Sequence, residues 1–167
     1  TQSRRRLTYL EQGVSYKKIF RSASVEGSIA MRTGKSWFDA EPEFLDAGNG
    51  QPTLRPEVWT ARLNYTQPFV WVGRSFQFST GLQGQHTDDE MLAADQMSIG
   101  GRYSVRGFDG EQVLMGENGF TWRNEISSPV RWLENVHTSF FLGGDVGRVW
   151  GPSDIRLVGN KLVGMAV

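Results

Sequence analysis

Arg106 stands in the most unusual stretch of this 167-residue chain, Ser98-Ile-Gly-Gly-Arg-Tyr-Ser-Val-Arg-Gly-Phe-Asp-Gly-Glu111. A guanidinium offers five donors in a planar fork and stays charged at any working pH, so its chemistry is the clamping of an acid rather than proton transfer. Gly100, Gly101 and Gly107 supply positive-φ turns and close backbone approaches, while Tyr103, Val105 and Phe108 give the stretch something to bury. A loop that carries its own packing residues reads as a functional element held by a scaffold. Two carboxylates are candidate acceptors. Alternation puts Asp145 on the polar face of its strand between Gly143 and Gly147, whose small size leaves room for an incoming loop. Glu125 shares a strand face with Arg123 and is the second candidate.

Little else in the chain is set out for chemistry. His86 and His137 lie far apart, and neither has carboxylate or histidine companions at metal-ligand spacing. Thr87-Asp-Asp-Glu90 lacks the glycine and closing glutamate of a calcium loop. The Gly-rich stretch lacks the Lys-Ser/Thr pair of a phosphate loop, and no Ser-His-Asp or paired-carboxylate arrangement stands out. No catalytic residue, metal or cofactor is therefore expected, and the chain does not read as an enzyme. Eighteen basic residues balance eighteen acidic ones, so nothing argues for a nucleic-acid partner. Arg4-Arg-Arg6 reads instead as a strand end. Cysteine is absent, which removes disulfides and thiolate metal sites.

The elements that must position Arg106 show as alternation. From Trp59 to Gln67, Trp59, Ala61, Leu63 and Tyr65 face one way and Thr60, Arg62, Asn64 and Thr66 the other. Arg74 to His86 sets Phe76, Phe78, Thr80 and Leu82 against Ser75, Gln77, Ser79 and Gly81. Ser22 to Gly34 and Thr138 to Val149 repeat the pattern, and Thr8 to Tyr16 does so less cleanly because Gln12 interrupts its apolar face. Phe120 to Ser127 and the stretch after Lys161 complete about seven strands. Their links alternate in length: short near Lys17–Arg21, Phe69–Arg74 and Arg131–His137, long over 35–56 and 87–119.

Short turns at one end and long loops at the other is the layout of an outer-membrane barrel, whose strands show lipid only every second residue. Trp59, Trp71, Trp122, Trp132 and Trp150 fall near predicted strand ends, where aromatic girdles sit. The fold class is thus all-β, an antiparallel transmembrane β-barrel in part. The same alternation also fits a soluble sandwich or β-rich binding module.

The string Val105-Arg-Gly-Phe108 inside its longer context resembles the signature of two-partner secretion transporters, the TpsB or haemolysin-activator family of the barrel-assembly superfamily. Gly119-Phe-Thr-Trp-Arg-Asn-Glu125, Phe141-Leu-Gly-Gly-Asp-Val-Gly-Arg-Val149 and a closing Lys161-Leu-Val-Gly-Met-Ala-Val167 resemble the family's following strands, in order. The resemblance implies a sixteen-strand barrel in which the motif loop folds inward between the eleventh and twelfth strands. It also implies a contact between Arg106 and Asp145 on the inner wall. Residues 1–167 would then be part of one barrel domain, about strands eight to fourteen, with 87–119 as the inward-folded loop. The chain reads as an internal fragment, with a signal peptide and periplasmic POTRA domains expected elsewhere in the whole protein. The implied partners are a secreted haemolysin- or adhesin-type exoprotein and outer-membrane lipid, and the whole barrel is expected to be monomeric. Arg62 and Arg102 are candidates to line its conduit. An insertase of the same superfamily, which shares an RGF or RGY loop, is the alternative.

Overall fold

The computed structural model describes residues 6–45, 47, 51–108, 113–133, 136–152 and 159–167, with backbone alone at 131–133, 136 and 137. Nine strands are present among them: β1 (Thr8–Phe20), β2 (Ala23–Lys35), β3 (Glu57–Trp71), β4 (Arg74–His86), β5 (Met97–Ile99), β6 (Leu114–Gly116), β7 (Asn118–Leu133), β8 (Val136–Trp150) and β9 (Lys161–Ala166). Seven form one antiparallel sheet in the order β1-β2-β3-β4-β7-β8-β9, while β5 and β6 pair only with each other. The β1–β2 and β3–β4 turns, at one end of the large sheet, are each two residues long. At Val72-Gly73 both residues have positive φ (47° and 72°), the twist-matched geometry of a tight hairpin.

The register settles which residues share a face. Leu63 pairs with Gly27 and Leu82, Leu82 with Trp122, Trp122 with Val146, and Val146 with Val163. One residue along, Asn64 pairs with Glu26 and Gly81, Gly81 with Arg123, Arg123 with Asp145, and Asp145 with Gly164. The first row belongs to an apolar face and the second to a polar one. Leu63, Leu82, Phe140, Leu142 and Val163 are all exposed on the apolar face. A soluble sandwich would bury that face against a second sheet. Here the buried apolar cluster of Met97, Ile99, Val105, Val149 and Leu162, flanked by Phe108 and Leu114, lies on the polar side, beneath the 87–117 loop.

The strands outrun the sequence reading at the short-turn end. Lys17 to Phe20 and Phe69 to Trp71, expected as links, are paired strand. Charge there is compatible with strand because Lys17 Nζ meets Glu26 Oε2 at 3.4 Å across the pair and Lys18 Nζ sits 4.7 Å over the Phe20 ring. The β5–β6 ribbon, three residues a side, was not expected. Trp122 also differs, lying four residues inside β7 beside Leu82 and Val146 rather than at a strand end. Arg4, Arg5 and residues 109–112 of the motif stretch lie outside the described residues.

Candidate functional site

The 87–117 loop is pinned at its root. The Thr87 hydroxyl donates to Glu57 O at 2.6 Å, and the Thr87 N–H donates to Asn118 Oδ1 at 2.8 Å. The β5–β6 ribbon then carries the chain back over the polar face, and a tight turn reverses it. The Ser104 hydroxyl accepts from the Gly100 and Gly101 N–H groups, each at 3.1 Å, and the Ser104 N–H bonds Gly101 O at 3.0 Å. Gly100 (φ 104°) and Gly107 (φ 90°) take left-handed conformations that a side chain would strain. Val105, between them, is fully buried.

That turn delivers Arg106 to the wall. Its Nε donates to Asp145 Oδ2 at 2.7 Å and its Nη2 to Asp145 Oδ1 at 2.8 Å, the bidentate fork that a guanidinium is shaped for. Its backbone N–H donates to Asp145 Oδ2 at 3.0 Å. Nη1 reaches Glu125 Oε2 at 2.6 Å, and Nη2 also reaches Asn124 O at 3.2 Å. The guanidinium carbon lies 5.7 Å from the centre of the Phe141 ring. The Asp145 side chain is fully shielded from solvent and that of Arg106 is 11% exposed. The hydrogen bonds to Asp145, then those to Glu125, hold the Arg106 pKa above its ordinary value against the opposing pull of burial. The cation is permanent, and the site is a lock, not an acid–base pair.

Glycine makes the approach possible. A methyl group on Gly143 would occupy the place of the Arg106 guanidinium, and one on Gly164 would overlap the Arg106 carbonyl. On Gly147 it would press to 2.8 Å from Val105 Cγ2. Arg106, Val105, Gly107, Asp145 and Glu125 are therefore assembled in one place. Gly101 differs from expectation, since its Cβ position meets open space and close approach does not require a glycine there. Phe108 packs on the edge of the buried cluster, Arg102 is exposed, and Arg62 lies in a separate polar groove with Arg32, Gln83 and Gln85.

Two features were not foreseen. Gly164 sits in a closing strand that was expected, but no contact of its own with the loop was. Asp95, in the same loop, accepts from Arg32 Nη2 at 3.0 Å and from the Tyr9 hydroxyl at 3.1 Å. The available signal was an arginine on the polar face of a strand whose other polar-face residues are small or acidic.

A family model described as haemolysin secretion/activation protein ShlB/FhaC/HecB matches residues 1–167. The chain is 38% identical over 165 residues to the outer membrane transporter CdiB-2 of Burkholderia pseudomallei strain 1026b, covering 99% of this chain and 28% of that protein. It is 28% identical over 145 residues to the hemolysin transporter protein HpmB of Proteus mirabilis, covering 86% and 25%. Among solved structures, CdiB from Escherichia coli superposes with a TM-score of 0.85 at 26% identity, over 96% of this chain and 29% of that one. CdiB from Acinetobacter baumannii gives 0.74 at 32% identity, over 93% and 25%.

Proposed function

The chain belongs to the haemolysin secretion/activation family of ShlB, FhaC and HecB, and on that premise we propose that it forms part of a Gram-negative outer-membrane barrel that exports a large secreted partner protein. The apolar face meets lipid and the polar face lines the conduit, as in an outer-membrane barrel. The observation that carries the reading is the Arg106 lock. A long loop reaches onto the conduit face and fixes its tip to Asp145 and Glu125 through a buried, bidentate ion pair. Its role is to set the loop's position in the pore. The substrate is an extended polypeptide of the haemolysin or adhesin kind, guided by polar wall groups and by strand addition at sheet edges. We assign the chain no covalent chemistry, because the Arg106 cation at the lock is held by two carboxylates and activates nothing. The whole barrel acts as a monomer.

The test is export of the cognate partner by the full-length protein carrying Arg106→Ala. Export should be lost while the barrel still reaches the outer membrane in wild-type amount. Arg106→Lys should restore only part, because an ammonium cannot reproduce the planar fork. Wild-type export by Arg106→Ala at normal barrel levels would refute the role given to this loop.

A further inference from the structure

The Asp95 contact lies on the other side of the loop from Arg106, and nothing in the reading so far uses it. The loop leaves β4 and returns to β7, which are neighbours in the sheet. From there it reaches in both directions: Arg106 to β7 and β8, Asp95 across β3 to β2 and β1. Asp95 sits in a turn closed by its own N–H on Leu92 O at 2.9 Å, so its carboxylate is presented rigidly. Oδ1 takes Arg32 Nη2 at 3.0 Å and Oδ2 takes the Tyr9 hydroxyl at 3.1 Å, leaving each oxygen with a donor. Arg32 is itself stacked, its guanidinium carbon 4.8 Å from the Tyr9 ring centre. Side-chain exposures of 29% for Arg32 and 11% for Asp95 put the pair well beyond an exposed surface ion pair. Between the two contacts, Gln85 Nε2 donates to Asp95 O at 3.1 Å and to Glu117 O at 3.0 Å, tying the outgoing and returning arms of the loop together.

We propose that Asp95, Arg32 and Tyr9 form a second, independent latch, which makes the loop a strap fastened to the wall on both sides rather than a flap fixed at its tip. The inference rests on the barrel reading above. The polarity of the two latches is opposite: at one the loop supplies the cation, at the other the anion. Neither wall site can therefore capture the other latch's loop residue, and the strap has a single way to dock. Undocking takes place in halves. Release of Asp95 alone frees the arm that lies over β1–β3 and leaves the tip on β8. These three are positioning residues; the strap, not their own chemistry, is what meets the passing chain.

The experiment uses the full-length protein in proteoliposomes, with a nitroxide attached at an introduced cysteine. One sample carries it at exposed Ala94, beside the proposed latch, and a second at exposed Arg102, near the tip. Asp95→Asn and Arg32→Gln should each shift the Ala94 spectrum from its immobile to its mobile component while the Arg102 spectrum stays as in wild type. The double variant should shift it no further, since the two residues make one contact. The reversed pair Arg32→Asp with Asp95→Arg should move the spectrum back towards wild type, and Tyr9→Phe should give a smaller shift of the same sign. An Ala94 spectrum unmoved by either single variant in a correctly assembled barrel overturns the latch. So does an Arg102 spectrum that moves equally, because the two fastenings would then be one. Export is scored separately. A wild-type protein that exports nothing, with the spectral pattern intact, sinks the translocation reading and leaves the latch standing.

Discussion

A key carboxylate of one long loop and the key charges of the other are satisfied in opposite ways. In residues 36–56, the Glu43 carboxylate accepts from the Phe44 N–H at 3.1 Å, the Leu54 N–H at 2.9 Å and the Thr53 hydroxyl at 2.7 Å, all within the same loop. In residues 87–117, Arg106 and Asp95 find their partners on the strands. A loop closed on its own carboxylate keeps its shape wherever its ends are placed. A loop whose charges are completed by the wall is held in place by those contacts, and a change in the wall reaches it directly.

The severest way to break the contrast is Asp145→Ala. It removes the bidentate partner and leaves the shielded Arg106 cation to Glu125 alone, a cost to the docked state approaching the ~3–5 kcal/mol of a broken buried pair, and limited proteolysis of the loop in the intact barrel should report it. Asp145→Ala with Arg106→Ala should be no worse than Asp145→Ala alone. Gly164→Ala comes next. Its added methyl overlaps the Arg106 carbonyl, so the tip must lift or β9 must shift, at ~1–3 kcal/mol, with the same protease pattern and both charges intact.

Glu43→Gln should cost ~1 kcal/mol, confined to the first loop, and leave export unchanged. Loss of export in that variant would erase the distinction between the loops. Burial raises the Glu43 pKa, but the bonds from Leu54, Thr53 and Phe44 outweigh it, and the carboxyl titrates below its ordinary 4.5. A carboxyl depressed on folding stabilises fully above its unfolded value and loses that contribution as pH falls through its folded one. Protease nicking of residues 36–56 should therefore rise as the pH is lowered below 4.5, and Glu43→Gln should flatten that rise. The smallest effect belongs to Arg123→Gln. Arg123 Nε lies 3.9 Å from Asp145 and its Nη1 bonds the exposed Tyr103 at its carbonyl, so ~0–1 kcal/mol is expected and loop cleavage should barely change.

The strands and faces were legible because alternation is local: Leu63 and Asp145 can be assigned to opposite faces from their neighbours alone. The Arg106–Asp145 pairing was legible for a narrower reason, glycines flanking a carboxylate on a polar face, seen together with a family-like loop. The Asp95–Arg32 pairing was not, since 63 residues separate the two and Asp95 stands in no repeating pattern, although Arg32 has a place on the polar face of its strand. The β5–β6 ribbon escaped because Met97-Ser-Ile99 and Leu114-Met-Gly116 are too short to show a period. Strand ends were read short where Lys17, Lys18 and Pro68 suggested a turn, although at a sheet end such residues can stay paired and solvated.

One bond at the lock belongs to no side chain of the loop. The Arg106 N–H donates to the shielded Asp145 carboxylate, so every replacement at 106 except proline keeps that donor. Its proton is hidden from water while the tip is seated and meets solvent when the tip lifts. In deuterated buffer that single amide becomes a clock, and its exchange rate counts the loop's departures from the wall, without a label and without altering the protein.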